Sequence, residues 1–225
     1  MSILTNTANV QILLETSNRL VAKFLYYTAN GTDEADVLKV NAETLLFRTF
    51  QLEVQNANAI IPVPGDVVRG ATSNASAIIT GWDKLAKKLT VINITGNTAF
   101  TDGETIRTLN YNTSNTALKA SGAQTTPPRQ LDIQQVWHSI DGDMTVELGL
   151  GGVYANSTPF VGAAVLLAGN GHYGPNALAA TIPNAMLNAT GNFYISTYTT
   201  TGAKASYSVV VDFRKTKGFS GPTGS

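Results

Sequence analysis

The clearest structural pattern in the sequence is Leu131-Asp132-Ile133-Gln134-Gln135-Val136-Trp137-His138-Ser139-Ile140-Asp141-Gly142-Asp143-Met144-Thr145-Val146-Glu147-Leu148. Apolar and polar residues alternate on both sides of the Asp-Gly-Asp run, as they do in strands with one buried face. An Asp-Gly pair between two such segments is a strong hairpin signal, because Gly tolerates the positive φ of the tight turn. The sequence therefore predicts a β-hairpin over residues 131–148.

Further strands are predicted on both sides of this segment. Two apolar runs in residues 10–28 are separated by Thr16-Ser17-Asn18-Arg19, which favours strand, turn and strand, although short apolar runs also suit a helix. Residues 33–40 are charged and predict a loop or an edge. Strand patterns recur at residues 45–54, 165–168, 191–197 and 205–215. Seven or more short strands with turns between them predict an all-β fold, a β-sandwich of the jelly-roll or Ig-like kind.

The middle of the chain contains an internal repeat. Gly65-Asp66-Val67-Val68-Arg69 recurs as Gly103-Glu104-Thr105-Ile106-Arg107, and Ser/Asn-rich stretches at 72–77 and 112–117 follow the two copies. Strands are also predicted at 77–80, 82–83 and 89–94, with a turn at 84–88. The repeat implies two similar units in a small β-barrel or meander. We expect Gly65 and Gly103 to supply unusual backbone angles and not a phosphate cradle.

Proline-bearing joints flank this module at residues 61–64 and 121–128. Proline stiffens a connection and interrupts strand pairing. The predicted organisation is therefore a sandwich domain built from residues 1–58 and 126–225, with an inserted small β-module at residues 59–125.

Composition excludes several classes of protein. The chain has 225 residues, 15 basic and 15 acidic side chains and no cysteine, so its formal net charge is zero. A nucleic-acid partner is not expected without an excess of cations. Disulfide scaffolds, cysteine metal sites and thiol nucleophiles are excluded. The longest apolar stretches, such as 160–168, are too short for a membrane span, and the first residues lack a signal-peptide pattern, so no membrane partner is expected.

The candidate catalytic residues do not form a convincing site in the sequence. His138 and Ser139 lie next to Asp141 and Asp143, but neighbours on a strand point to opposite faces, so they cannot form a local nucleophile–base pair. His172 lies in a glycine-rich run that predicts a surface turn, with a ligand-cradling loop as the alternative. We therefore expect no catalytic residues and no enzyme.

Three other groups of side chains have an alternative binding role. Asp33, Glu34, Asp36, Asp141 and Asp143 could offer carboxylates to calcium, but neither run has a calcium-loop pattern, so no metal or cofactor is expected. Alternating aromatic residues suit a sugar-binding face or, by default, core packing; they are Phe24, Tyr26, Tyr27, Phe193, Tyr194 and Tyr198. Basic clusters at Lys84, Lys87 and Lys88 and at Arg214, Lys215 and Lys217 are expected to be solvated edge protection.

Several segments resemble a known class of protein. The run 65–77 with its echo at 100–106 resembles a β-module of virion proteins from tailed bacteriophages. Segments 136–140, 167–173 and 207–215 are similar to structural proteins of marine phages, especially those that infect cyanobacteria. The tail Gly218-Phe219-Ser220-Gly221-Pro222-Thr223 resembles the start of a collagen-like run, but it stops after one Gly-Pro-Thr, so no triple helix is expected.

The resemblance implies a non-enzymatic virion structural protein that is assembled in the bacterial cytoplasm. Such proteins bury surface against other virion proteins and copies of themselves, often through strand addition and terminal arms. We expect a capsid cement or decoration protein that binds the major shell protein, and a homo-oligomer. The alternatives are a neck, tail, baseplate or fibre-attachment component and, from another class, a carbohydrate-binding adhesin module.

Overall fold

A computed structural model describes residues 10–55, 63–93, 99–108, 118–122, 124–125, 129–154, 156–174 and 188–219. Parts of both predicted joints, the Ser/Asn-rich stretch at 112–117, the first nine residues and most of the glycine-rich tail lie outside these ranges. The described residues form two compact units, the first from 10–46 and 129–217 and the second from 47–125, 218 and 219. The predicted all-β class is confirmed. The described ranges contain no helix that could cross a membrane.

The first unit is a β-sandwich of two antiparallel sheets. Sheet A has the order β1 (Val10–Glu15), β2 (Arg19–Thr28), β15 (Ala205–Lys217), β10 (Gln130–Asp141) and β13 (Asn170–Tyr173). Sheet B has the order β12 (Pro159–Leu167), β11 (Met144–Val153), β14 (Phe193–Thr199) and β3 (Val37–Val40). A short 3-10 helix, Ala42–Thr44, follows β3 and is capped by the Asn41 side chain.

The predicted hairpin at residues 131–148 is wrong, although both of its strands exist. β10 pairs with β15 and β13, whereas β11 pairs with β12 and β14. The turn at Gly142 therefore carries the chain from sheet A to sheet B. Gly142 does adopt the positive φ that the Asp-Gly pair predicts, at 83°. We call this connection between the two sheets the arch. The residues of the turn cannot distinguish an arch from a hairpin, because the difference is whether β10 and β11 pair with each other or with strands from distant parts of the chain.

Large apolar side chains from both sheets fill the sandwich. The Phe24 and Phe193 rings lie 5.3 Å apart between centroids, and Phe193 meets Phe213 edge-on at 4.9 Å. All three rings are fully buried. Aromatic pairs of this kind stabilise a core by about 0.5–1.5 kcal/mol each beyond the area they bury. They connect β2 and β15 of sheet A to β14 of sheet B.

A buried ion pair stabilises one end of sheet A. Lys215 Nζ lies 2.8 Å from Glu15 Oε1 and 3.1 Å from the Leu46 carbonyl oxygen, and both charged side chains are buried. Burial lowers the pKa of Lys215, and the bond from its ammonium group to Glu15 opposes that effect. The prediction that Lys215 is a solvated edge residue is wrong, because it points inward with the apolar side chains of β15. Its neighbour Arg214 is exposed as expected, but β15 is the central strand of sheet A, so the predicted edge-protection role is wrong for this residue too.

The second unit is a closed six-stranded barrel. Its strands follow the order β4 (Thr49–Gln55), β7 (Lys88–Asn93), β6 (Ser76–Asp83), β5 (Val67–Gly70), β8 (Thr105–Thr108) and β9 (Leu118–Ala120), with β9 pairing back to β4. Its buried core includes Leu52, Ile79, Leu89 and Ile106, and Trp82 packs against it. The predicted turn at residues 84–88 joins β6 to β7.

The predicted domain boundary near residue 58 does not match the strand pairing. The predicted boundary assigns β4 to the sandwich, but β4 pairs with β7 and β9 and so belongs to the barrel. The division falls between Leu46 and Phe47. The alternating pattern at residues 49–55 correctly predicts a half-buried strand, yet such a pattern does not specify the sheet that the strand joins.

The sequence repeat corresponds to a structural repeat in the barrel. Asp66 N donates to Val63 O at 3.1 Å, and Glu104 N donates to Thr101 O at 3.2 Å. The glycines before them also make equivalent bonds, Gly65 N to Ile79 O at 2.8 Å and Gly103 N to Ala120 O at 3.0 Å. Both glycines have positive φ, as predicted.

The two copies differ in the acidic residue that follows the glycine. The buried Glu104 carboxylate accepts bonds from the Thr72, Ser73 and Thr101 amides at 2.9, 2.9 and 2.6 Å and from the Ser73 hydroxyl at 2.7 Å. Burial alone would raise the pKa of Glu104, but these bonds together lower it below its ordinary value. Gly70 leaves room for this carboxylate, since a Cβ there would lie 2.5 Å from Glu104 Oε1.

We predict that Gly142→Ala destabilises the sandwich more than Gly202→Ala. Both glycines have φ near 80°, so alanine introduces backbone strain of about 1–2 kcal/mol at either site. Only at Gly142 would the new Cβ also meet neighbouring atoms. It would contact the Lys204 carbonyl oxygen and would lie 3.0 Å from Ala205 Cα. Urea unfolding monitored by Trp137 fluorescence in a Trp82→Phe background measures the difference. Equal losses would show that the arch is not tightly packed.

We predict that Glu104→Gln destabilises the barrel by about 2–3 kcal/mol, because a neutral amide cannot accept all four bonds. The matched control, Glu53→Gln, removes an exposed pair with Lys88 and should cost under about 1 kcal/mol. Unfolding of the barrel is read from Trp82 in a Trp137→Phe background. Because the folded pKa of Glu104 is lowered, its stabilisation is lost as pH falls below the ordinary value of 4.5. If the stability difference between wild type and Glu104→Gln persisted at low pH, this assignment would be contradicted.

Candidate interaction surfaces

The two histidines lie on neighbouring strands of sheet A but on different faces. Ser139 is exposed on the outer face of β10, whereas His138 lies on the side that buries Val136 and Ile140. The prediction that His138 and Ser139 point to opposite faces is therefore confirmed. His138 lies beneath Gly171, where a Cβ would come within 2.7 Å of the imidazole Cε1. Burial lowers the pKa of His138, a bond with the Ala168 backbone opposes this, and nearby His172 lowers it further.

His172 lies on a strand, so the prediction of a surface turn is wrong. It pairs with Trp137 in the ladder between β13 and β10, and the two rings stack with their centroids 5.0 Å apart. Trp137 is 38% exposed. Glycine-rich sequence is typical of turns. Here, however, Gly171 lies opposite His138, and its missing side chain allows β13 to pair with β10 over the imidazole ring. The result is a small aromatic surface at the β13 edge of sheet A.

The acidic segment 33–36 is bound to β14 and its carboxylates are used internally. Glu34 accepts bonds from Lys39 Nζ at 2.5 Å and from the Tyr207 hydroxyl at 2.6 Å. Burial, followed by the bond to Glu34, raises the pKa of Tyr207 far above its ordinary value. Asp36 accepts from the Ser196 hydroxyl at 2.9 Å. The bonds with Lys39 and Ser196 attach the segment to β3 and β14 of sheet B, and the bond with Tyr207 attaches it to β15 of sheet A.

A cavity of about 240 Å³ lies between this segment and β14, lined by residues 33–36 and 196–198. Its size suits several water molecules or a small ligand. The other calcium candidates also bond within the protein, since Asp141 accepts from Gly142 N at 3.0 Å and Asp143 accepts from the Thr200 hydroxyl. Within the described ranges, no three His, Asp or Glu residues are grouped as metal ligands.

The predicted aromatic sets divide between the core and the surface. Phe24 and Phe193 are buried, whereas Tyr27 and Tyr198 are exposed. Tyr194 and Tyr198 alternate with buried residues of β14 and so lie on the outer face of sheet B. The Tyr198 hydroxyl donates to Glu147 Oε2 at 2.9 Å, on the neighbouring strand β11.

The four edges of the sandwich differ in how they are protected. β3 and β13 have only four residues each, and β1 has a register shift between Ile12 and Leu14. Short strands and bulges are common devices that prevent edge-to-edge association. β12 has nine residues, none of them charged, and no described residue pairs with its outer edge. Its one irregularity is a register shift that leaves out Ala164.

The outer face beside this edge is apolar. Leu166 is 64% exposed, and Val161 lies over Gly149 of β11, where a Cβ would come within 2.5 Å of Val161 Cγ1. The Tyr194 ring lies against Gly151 in the same way. The two glycines thus let larger side chains from both neighbouring strands cover β11. We name β12 and the outward side chains of Val161, Ala163 and Leu166 the β12 edge.

We predict that acidification destabilises the sandwich through His138. Because its folded pKa is lowered, the unfolded chain binds the proton more tightly, so stability falls as pH drops through about 6.5. His138→Phe keeps a ring at this position and should reduce the drop in Tm between about pH 7.5 and pH 5.5. Ser139→Ala, on the exposed side of the same strand, is the control and should behave as wild type. An undiminished drop in His138→Phe would refute the assignment.

Comparison with known proteins adds little to this description. No family model matches the sequence, and no curated protein matches it. A solved chain described as manganese lipoxygenase of Gaeumannomyces graminis with a partial structure of zonadhesin of Komagataella pastoris aligns over 96% of this chain and 85% of its own length, at 8% identity and a TM-score of 0.12. A likeness at that level carries no argument about fold or function.

Proposed function

We propose that this chain is a non-enzymatic structural protein of a tailed-bacteriophage virion, and that it joins the capsid by adding the β12 edge to a neighbouring sheet. The observation that carries the proposal is the β12 edge itself. β12 is a long, uncharged strand, and no described residue pairs with its outer edge, so it offers a row of backbone N–H and C=O groups to another chain. The resemblance of the sequence to virion proteins is the reason for proposing a phage particle as the assembly.

The free-energy terms at the β12 edge favour its burial against a partner. A long edge strand without charges risks aggregation. β12 is interrupted at Ala164, but it is longer than the other three edge strands β1, β3 and β13 and carries no charge. Burial of Leu166, Val161 and Ala163 against a partner removes apolar surface from water at about 25 cal/mol per Å². β12 itself carries no charge that would have to be desolvated; the carboxylate opposite Leu166, Glu147, belongs to the neighbouring strand β11.

Low overall charge fits the same role. Only 13% of the residues are charged, and Glu15, Glu34 and Glu104 are engaged by bonds within their own units. A surface that is solvated mainly by Thr, Asn and Ser can be buried against partners at small desolvation cost. Attachment at the neck or tail would use the same edge.

A carbohydrate-binding module is the second candidate. The exposed Tyr198 and the stacked pair of Trp137 and His172 are rigid aromatic surfaces of the kind that pack on sugar rings. They lie on different sheets of the sandwich, so they do not form one continuous binding face. We therefore favour assembly through the β12 edge.

We predict that the double variant Ala163→Lys and Leu166→Lys is depleted at least about tenfold from the particle fraction, because two like charges on the edge oppose strand addition. The protein is co-expressed with the shell protein and the mixture is separated on a density gradient. Leu85→Lys is the control, since Leu85 is 97% exposed in the barrel turn. Circular dichroism and Tm confirm that all variants fold.

Tyr198→Ala separates the two candidate functions when it is tested both on the density gradient and on a glycan array. Assembly through the β12 edge leaves its particle association intact, whereas glycan binding on a glycan array that is lost in Tyr198→Ala would favour the adhesin. Wild-type association of the double lysine variant, or a wild-type protein that never sediments with particles, would overturn the proposal.

A further inference from the structure

The barrel places two arginines directly opposite each other. β5 and β8 are antiparallel, and their register pairs Arg69 with Arg107 between the pairs Val68–Thr108 and Gly70–Ile106. Because Arg69 and Arg107 are equivalent positions of the sequence repeat, the two copies are related by a local two-fold axis through this pair. Val68 and Ile106 point into the core, so both arginines point outward on the same face and are exposed.

This arrangement is electrostatically unfavourable for the protein alone. Residues directly opposite in an antiparallel pair have Cβ atoms about 4.5–5.5 Å apart, and like charges at that spacing destabilise the sheet. Among the described residues, no carboxylate forms an ion pair with either arginine. Glu104, the acidic residue of the second repeat copy, is buried and accepts bonds from Thr72, Ser73 and Thr101.

Neighbouring polar groups extend the positive surface. Arg69 Nη2 donates to Asn74 Oδ1 at 3.0 Å, which holds one guanidinium in place. Lys119 on β9 is exposed and lies opposite Thr105, one outward position along β8 from Arg107. Such diagonal neighbours lie about 7–8 Å apart, within reach of long side chains. Three cations therefore share one stretch of the barrel wall.

We propose that Arg69 and Arg107 form a binding site for a doubly charged tetrahedral oxyanion, a phosphate or sulfate group. Each guanidinium presents a planar fork of N–H donors that matches two oxygens of such a group. A dianion between the two forks neutralises both charges, whereas a single carboxylate neutralises one. Lys119 adds a third cation at the side of the site. This site is separate from the β12 edge and does not depend on the function proposed above.

The test is anion-dependent stability of the barrel. Thermal unfolding is followed by Trp82 fluorescence in a Trp137→Phe background, in sodium phosphate and in sodium chloride at equal ionic strength. A ligand that binds only the folded state raises Tm, so phosphate should raise Tm more than chloride does. Phosphate also stabilises proteins in general by exclusion from their surfaces. Variants of the two arginines are therefore needed to distinguish binding at this site from the general effect.

Arg107→Gln and Arg69→Gln should each lose the phosphate increment and weaken the phosphate dissociation constant, measured by calorimetry, at least tenfold. In dilute chloride Arg107→Gln should match or exceed the wild-type Tm, because it removes the repulsion. Lys88→Gln, a cation elsewhere on the barrel that is paired with Glu53, is the control and should keep the increment. The same increment in Arg107→Gln as in wild type, or none in wild type, would overturn the proposal.

A second arm of the experiment identifies the source of the anion. Inorganic phosphate and sulfate are compared with glucose 6-phosphate, in which the group is a monoester. Tighter binding of glucose 6-phosphate would assign the site to an esterified group on a larger molecule, and tighter binding of inorganic phosphate or sulfate would assign it to the free ion. Failure of all three to bind would refute the site.

Discussion

The structure depends on the passage of the chain from sheet A to sheet B at Gly142. β10 and β11 each present one apolar face, and the turn between them places these strands in different sheets. Their apolar faces can then enclose one core, in which Phe24, Phe193 and Phe213 meet. Had the two strands paired as a hairpin, both apolar faces would lie on one sheet and need a cover from elsewhere.

Three carboxylates of the chain hold loops and strand ends in place. Glu15 bonds Lys215 at the end of sheet A, Glu34 bonds Lys39 and Tyr207 beside β14, and Glu104 bonds the Thr72–Ser73 turn of the barrel. Each carboxylate is buried or partly buried and has several partners, as a buried charge requires. The consequence is a surface with even less charge than the composition suggests, and on that surface the β12 edge and the arginine pair stand out.

Much of the fold could be predicted from the sequence, because strand positions are encoded locally. The strand at residues 205–215, the turn at 84–88 and the unusual backbone angles of Gly65 and Gly103 were all predicted correctly. Strand partners could not be predicted in the same way. The arch at Gly142, the transfer of β4 to the barrel and the strand at His172 all depend on pairing between residues far apart in the sequence.

The two interaction surfaces were harder to predict from the sequence, because they also depend on strand pairing between distant residues. The apolar run at 160–168 is visible in the sequence, but its position at a sheet edge is not. The repeat that ends in Arg69 and Arg107 is also visible, but only the antiparallel register of β5 and β8 brings the two side chains together. Lys215 is a further example, because nothing in its basic cluster indicates that this one member is buried against Glu15.

The proposed assembly by strand addition is best tested by a cryo-EM map of native particles. We expect density for the sandwich on the particle, with a strand of a neighbouring subunit hydrogen-bonded along β12. Particles without such density, or a bound chain whose β12 edge faces solvent, would contradict it.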